Sequence, residues 1–111
     1  MKEKILFVNS CVRGENESRT LALAKTALSR LDGDIEEIRL ADADLKPLDA
    51  AGLAKRAESA EKNDFSDPVY DCAKQFAACD TVVIAAPFWD YSFPAFLKIY
   101  IESLCVGGLT F

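Results

Sequence analysis

The sequence predicts a doubly wound α/β domain, a parallel sheet with helices packed on both faces. Residues 4–9, Lys-Ile-Leu-Phe-Val-Asn, and residues 80–86 are apolar runs of the kind that mark parallel strands covered on both sides. The segments that follow them place apolar residues at helical spacing. Each apolar run also ends in a loop that opens a helix, and sheets of this class bind ligands at the carboxyl ends of their strands.

Taken in order, residues 4–9 form the first strand, and residues 10–17 are a polar loop containing Gly14. Over residues 18–31, Leu21, Ala24, Leu28 and Leu31 recur on one helical face, and Asp32-Gly33 stops the helix. Residues 34–40 mix polar and apolar positions, as a strand near a sheet edge does, which completes a right-handed βαβ unit. Residues 41–64 are an irregular, charged excursion with a short helix over residues 50–60. Asp67-Pro68 reads as an N-cap followed by proline in the first turn, with Val69, Cys72, Phe76 and Cys79 on one face of the helix they open. Residues 80–86 are the third strand. A last helix over residues 94–105 is opened by Pro94, closes near Cys105 and is followed by Gly107-Gly108. Its residues Phe96, Leu97, Ile99, Tyr100, Ile101 and Leu104 leave only a narrow polar stripe, so it is expected to be buried on more than one side.

Composition narrows the function classes. A chain of 111 residues is one domain, 1–111, and half its residues are apolar, enough for a core without disulfides or metal. The net charge of -5 argues against nucleic acid or an anionic membrane as partner. Met1-Lys2-Glu3-Lys4 leads into only four apolar residues, too few for a signal peptide or a membrane span. The cysteines Cys11, Cys72, Cys79 and Cys105 form no CxxC pair and there is no histidine, so neither a metal site nor the usual hydrolytic base is expected. Three of them fall at apolar helical positions, and the reading is a reduced, cytoplasmic protein.

Two segments carry candidate chemistry. The loop Ser10-Cys11-Val12-Arg13-Gly14-Glu15-Asn16-Glu17-Ser18-Arg19-Thr20 joins a strand to a helix, so backbone N–H groups and the helix dipole favour an anion there. A plain capped helix start accounts for the same residues. The loop Pro87-Phe88-Trp89-Asp90-Tyr91 offers flat aromatic surface beside strand-end backbone groups, suited to a planar ring or equally to packing at an interface.

Taken together, Asn9-Ser10, Ser18-Arg19-Thr20-Leu21, the run Ala86-Pro87-Phe88-Trp89-Asp90-Tyr91-Ser92-Phe93-Pro94-Ala95-Phe96-Leu97-Lys98 and Gly108-Leu109-Thr110-Phe111 resemble the flavodoxin-like NAD(P)H-dependent FMN oxidoreductases. These are the azoreductase and quinone-reductase family, and the resemblance covers essentially the whole chain. It implies a three-layer flavodoxin-like domain with strand order 2-1-3, FMN as cofactor, NAD(P)H as electron donor and a quinone or azo compound as acceptor. It further implies that Ser10, Glu17, Ser18 and Arg19 hold the FMN phosphate and ribityl chain, with Asn16 and Thr20 beside them, and that Pro87, Phe88, Trp89, Asp90 and Tyr91 lie along the isoalloxazine ring. No residue need act as a catalytic acid or base, since the cofactor carries the chemistry.

Three departures qualify the resemblance. Glu17 puts a carboxylate near the phosphate, and Asp90 stands where an amide is more common. Family members also continue past Gly-Leu-Thr-Phe with strands 4 and 5, which would leave the third strand here as a sheet edge open to another chain. The chain is accordingly read as the N-terminal part of the fold: a truncated reductase with impaired activity, a non-catalytic flavin-binding module, an inactive remnant, or a subunit completed by a partner. A homodimer through the helix over residues 94–105 is expected. Low-molecular-weight tyrosine phosphatases share the architecture, with Cys11 and Arg19-Thr20 in superficially similar places. That chemistry needs an arginine after five intervening residues, and Glu17 occupies the position.

Overall fold

The computed structural model describes residues 2–111; Met1, where the reading of the N-terminus begins, lies outside the described residues. Three strands, β1 (Glu3–Asn9), β2 (Gly33–Arg39) and β3 (Thr81–Ala85), form a parallel sheet in the order β2-β1-β3. The helices are α1 (Arg19–Leu28), α2 (Ala50–Lys62), α3 (Asp71–Ala78) and α4 (Ala95–Leu104), with single 3-10 turns at Leu40–Asp42 and Pro68–Tyr70. The sheet order and three-layer arrangement are those the sequence predicts.

The central strand β1 explains the layering. Its alternate side chains enter two different cores, and Ile5, Leu6, Phe7 and Val8 are each no more than 1% exposed. Ile5 and Phe7 pack on Leu21, Ala24 and Leu28 of α1. Leu6 and Val8 pack on Leu97, Tyr100 and Leu104 of α4, with Cys72 and Phe76 of α3 at the margin. Burial of each such side chain is worth about 1.5–3 kcal/mol, so this strand is the main source of cohesion between the layers. The Tyr100 hydroxyl is buried without a hydrogen-bond partner among the described residues; burial, then the neighbouring Cys72 and Cys79, push its pKa far upward and keep it neutral.

The two outer strands are unlike. β2 carries Asp34, Glu36, Glu37 and Arg39 and has no fully buried residue, a charged edge that resists pairing. β3, Thr-Val-Val-Ile-Ala, has no charge and leaves Ile84 49% exposed. Its entry is pinned to β1 by a reciprocal pair: Lys4 N–H donates to Asp80 Oδ2 and Asp80 N–H to the Lys4 carbonyl, both at 2.8 Å.

Several boundaries and faces differ from expectation. α1 stops at Leu28, because Ser29, Arg30 and Leu31 close into a tighter turn; Leu31 stands off the core, exposed. Asp67 does cap its turn, accepting from Val69 N–H at 2.9 Å, but the 3-10 geometry rotates Val69 outward and turns Tyr70 and Ala73 inward. Cys105 lies at the exposed end of α4 rather than packed. α4 is packed on more than one side, as expected, and from within the chain: Phe96, Leu97, Tyr100 and Leu104 are taken up by the core, and Ile99 faces a hollow beside Leu48 and Arg56. Ile101 is its one large apolar side chain left exposed.

α2 has no buried residue. It is attached by polar groups: Arg56 donates to the Glu102 carbonyl at 2.6 Å and the Cys105 carbonyl at 3.1 Å, Tyr70 donates to Ser59 Oγ at 2.8 Å, and Lys55 pairs with Asp67.

One glycine is fixed by close approach. A Cβ on Gly33 would lie 2.5 Å from the Glu3 carbonyl oxygen, inside the β1–β2 ladder. Gly33→Ala is therefore expected to lower stability by about 1–3 kcal/mol in a urea melt, because the ladder must shift to admit the methyl. An unchanged midpoint would show that this end of β2 gives way freely.

Candidate functional site

The two candidate loops leave neighbouring strand ends. Asn9, the last residue of β1, pairs with Ala85, the last residue of β3. The chain then departs from β1 through Ser10, whose backbone N–H and hydroxyl both donate to the Ala85 carbonyl, at 2.9 and 2.7 Å. Ser10 is wholly buried, so its hydroxyl serves this join. Cys11 is also buried, with Sγ 4.0 Å from the same carbonyl. Such a thiol is held in the core and not presented as a nucleophile, which disfavours the phosphatase chemistry further.

The first loop is folded on itself before it reaches α1. The Gly14 carbonyl accepts from Glu17 N–H at 3.0 Å and Ser18 N–H at 2.9 Å. Ser18 is the N-cap, its Oγ accepting from Leu21 N–H at 3.1 Å. The N–H groups of Arg19 and Thr20 are then the free ones at the helix start, with no protein partner among the described residues. Glu17, like Asn16 and Arg19, has an exposed side chain, and its N–H is turned to Gly14 and not to the mouth of the loop.

The base of this loop is tied to β2 and α1. Asn9 is buried; its Oδ1 accepts from Cys11 N–H and its Nδ2 donates to Glu37 Oε2, both at 3.0 Å. Glu37 Oε1 in turn meets Lys25 Nζ at 3.4 Å, and that ammonium lies 5.4 Å from the centre of the Phe7 ring. Partial burial works to raise the Glu37 pKa, but the hydrogen bond from Asn9 and the charge of Lys25 outweigh it and hold the carboxyl below its ordinary value of 4.5. A hollow of about 450 Å³ opens here, lined by Asn9, Gly14, Glu15 and Glu37 among others. Asn9, Gly14 and Glu37 are the residues that sequence reasoning left without a role. Asn9 was visible in the Asn9-Ser10 pair, whereas nothing local marks Glu37, which lies 28 residues away.

The second loop is a tight aromatic turn. Trp89 and Ser92 exchange both backbone hydrogen bonds, at 2.7 and 2.8 Å. Asp90 at φ 50° and Tyr91 at φ 64° are both left-handed, the signature of a type I′ turn. Asp tolerates that region well, and Tyr does not. Tyr91 is 94% exposed and Phe88 69%, their rings edge to face with centroids 6.3 Å apart, and Trp89 is also exposed. Pro87 is half-buried at the strand end. The hollow by the first loop takes in none of Pro87, Phe88, Trp89, Asp90 or Tyr91, so the loops are adjacent in the sheet without sharing that cavity.

A family model described as flavodoxin-like fold matches residues 3–111. The chain belongs to the flavodoxin-like family. Among curated relatives, an FMN-dependent NADH:quinone oxidoreductase of Clostridium perfringens (strain SM101) is 32% identical over 113 residues, 97% of this chain and 57% of the relative. One from Clostridium acetobutylicum is 33% identical over 114 residues, 97% of this chain and 56% of its own length. The chain thus spans little more than half the length of these relatives. Among solved structures, an FMN-dependent NADH-azoreductase from Bacillus anthracis str. Ames Ancestor, in complex with FMN, superposes with a TM-score of 0.75 at 21% identity, covering 97% of this chain and 57% of that one. This structural likeness supports the flavodoxin-like fold.

In this flavodoxin-like chain the aromatic turn holds a bulky residue where glycine fits best. Tyr91→Gly is expected to raise stability by about 1 kcal/mol, because the left-handed conformation costs an L side chain roughly that much. The readout is the thermal midpoint; a lower midpoint would mean that the edge-to-face contact with Phe88 outweighs the backbone cost.

Proposed function

We propose that this chain forms an FMN site of the NADH:quinone oxidoreductase type, as the names of its relatives suggest. The observation that supports the reading is the Ser10–Ala85 join, which sets the 10–18 loop and the aromatic turn at adjacent strand ends. The residues present fit the cofactor's two halves. The free N–H groups of Arg19 and Thr20 at the head of a ten-residue helix suit a phosphate, with Ser18 at the cap and Asn16 exposed along the loop, while Ser10, both its donors bound to the Ala85 carbonyl, fixes where the loop departs. Phe88, Trp89 and Tyr91 supply flat surface for a ring, with Pro87 and Asp90 shaping the turn.

Bound there, FMN would supply the redox chemistry, with NADH as donor and a quinone as acceptor. The chain's own part is to seat the phosphate, present the aromatic wall and exclude water from the ring face. No side chain is assigned a proton. Glu17 opposes a phosphate through its exposed carboxylate and is expected to moderate affinity. A cytoplasmic setting accords with the four free thiols, and no described helix is long and apolar enough to cross a membrane.

Ser18→Asp separates the phosphate seat from general stability, since aspartate caps a helix as well as serine but adds a charge. It is expected to weaken FMN at least about tenfold in a fluorescence titration, through like-charge repulsion at the helix start, while riboflavin, lacking the phosphate, is unaffected. Equal FMN affinity in the two proteins would remove the phosphate from this loop. NADH oxidation with a simple quinone, measured against free FMN, tests the activity itself.

We further propose a homodimer through α4, with Ile101 in the contact. Ile101→Lys should shift sedimentation toward the monomer at micromolar concentration. A parent protein that already sediments as a folded monomer would refute this.

A further inference from the structure

We propose that Asn9, through its bond to Glu37, is a positioning residue that fixes the departure of the 10–18 loop from the sheet and so the geometry of the phosphate seat. The inference rests on the FMN reading above for its ligand, and on the hydrogen bonds of the chain alone for its geometry.

The Asn9 amide has one orientation that satisfies both neighbours. Cys11 N–H can only donate and the Glu37 carboxylate can only accept, so Oδ1 must face the loop and Nδ2 must face β2. No other short side chain offers an acceptor and a donor in this arrangement. Aspartate would set a second carboxylate against Glu37, and serine lacks the reach. Asn9 is 3% exposed, so an unmade bond on its amide carries a desolvation cost.

The network also joins the loop's two stems. The chain leaves β1 at Asn9 and returns at Ser18 to begin α1. Lys25, about two turns further along α1, holds the Glu37 carboxylate that holds Asn9. The free N–H groups of Arg19 and Thr20 lie at the start of that same helix. Spacing between strand end and helix start is therefore set by Asn9–Glu37–Lys25, and a phosphate seated on the helix depends on it.

The charged groups facing Glu37 are Lys25 from α1 and Arg39 on β2, while β1 contributes the neutral Asn9; Glu15 of the loop lines the same hollow. Glu37 is more acidic in the folded chain than in the unfolded one. Its contribution is thus complete above pH 4.5 and is lost as pH falls through the lower folded value, when protonation strips Lys25 of its partner.

The test uses the full chain in amide NMR spectra with FMN titrations alongside. In the parent, the Cys11 amide resonance should move in acid with a midpoint below 4.5, and in Glu37→Gln it should stay flat. Asn9→Ala should raise hydrogen exchange at Cys11 and weaken FMN, each by about tenfold, with α4 amides unchanged. Asn9→Asp, which keeps an acceptor for Cys11 N–H but sets a carboxylate against Glu37, should weaken FMN likewise, whereas Glu37→Gln, which still accepts from Asn9 but gives up the Lys25 ion pair, should weaken FMN less than Asn9→Ala does. A Cys11 amide that ignores acid in the parent would overturn the proposal, and this outcome needs no variant to fold. So would an Asn9→Ala protein that binds FMN as the parent does. A parent that shows the Cys11 response yet binds no FMN would instead defeat the ligand reading and leave the loop's positioning intact.

Discussion

β1 is hydrogen-bonded along both edges and buried on both faces, and the 10–18 loop leaves its carboxyl end beside the point where the chain leaves β3 for the aromatic turn. Because Ile5 and Phe7 serve one core while Leu6 and Val8 serve the other, the strand cannot slide or rotate without opening both. A one-residue slip would exchange the two faces entirely. The end of such a strand is a fixed point. Ser10 extends that rigidity sideways by spending both of its donors on the Ala85 carbonyl, so the exits from β1 and β3 are held a hydrogen bond apart. The loop and the aromatic turn inherit their relation from this join.

Sequence pattern was enough for the sheet because its signals are local. Residues 5–8 of the first apolar run and the Leu21, Ala24 and Leu28 spacing map directly onto the buried sets, whereas the run at 80–86 forms its strand at the sheet edge with only Ala85 fully buried and Ile84 exposed. Where the reading slipped, the deciding contact was distant or depended on turn geometry. Leu31 continues the helical period but falls beyond a 3-10 closure, and Val69 shares a spacing with Cys72 that the 3-10 turn at Pro68–Tyr70 rotates away. For α4, composition revealed how apolar the helix is but not how much of it α2 and the 41–49 segment already cover.

The site was legible as two loops and illegible as an arrangement. Sequence marks Ser18 as a cap and Asp90-Tyr91 as loop residues, yet it does not reveal that Gly14 claims the Glu17 and Ser18 N–H groups, or that both Asp90 and Tyr91 are left-handed. Asn9 was recognisable as part of a pattern but not as a link. Its partner Glu37 sits in a strand whose charges read as ordinary edge protection, and two charged positions of β2 thus do different jobs: Glu37 ties the loop, while Glu36 accepts from Gln75 of α3.

The attachment of α2 has a consequence for how the molecule opens. A helix with no buried side chain, held by Arg56 on the carbonyls at the end of α4 and by a few surface pairs, can detach without exposing either core. Its separation costs polar contacts that water largely replaces, so it belongs to the low end of the protein's range of local stabilities. α2 is thereby the first element to admit a protease, and the one most tolerant of inserted sequence. Nicking α2 itself would leave the sheet and the strand-end loops standing, because the buried residues of this stretch, Leu40 and Tyr70, lie outside that helix.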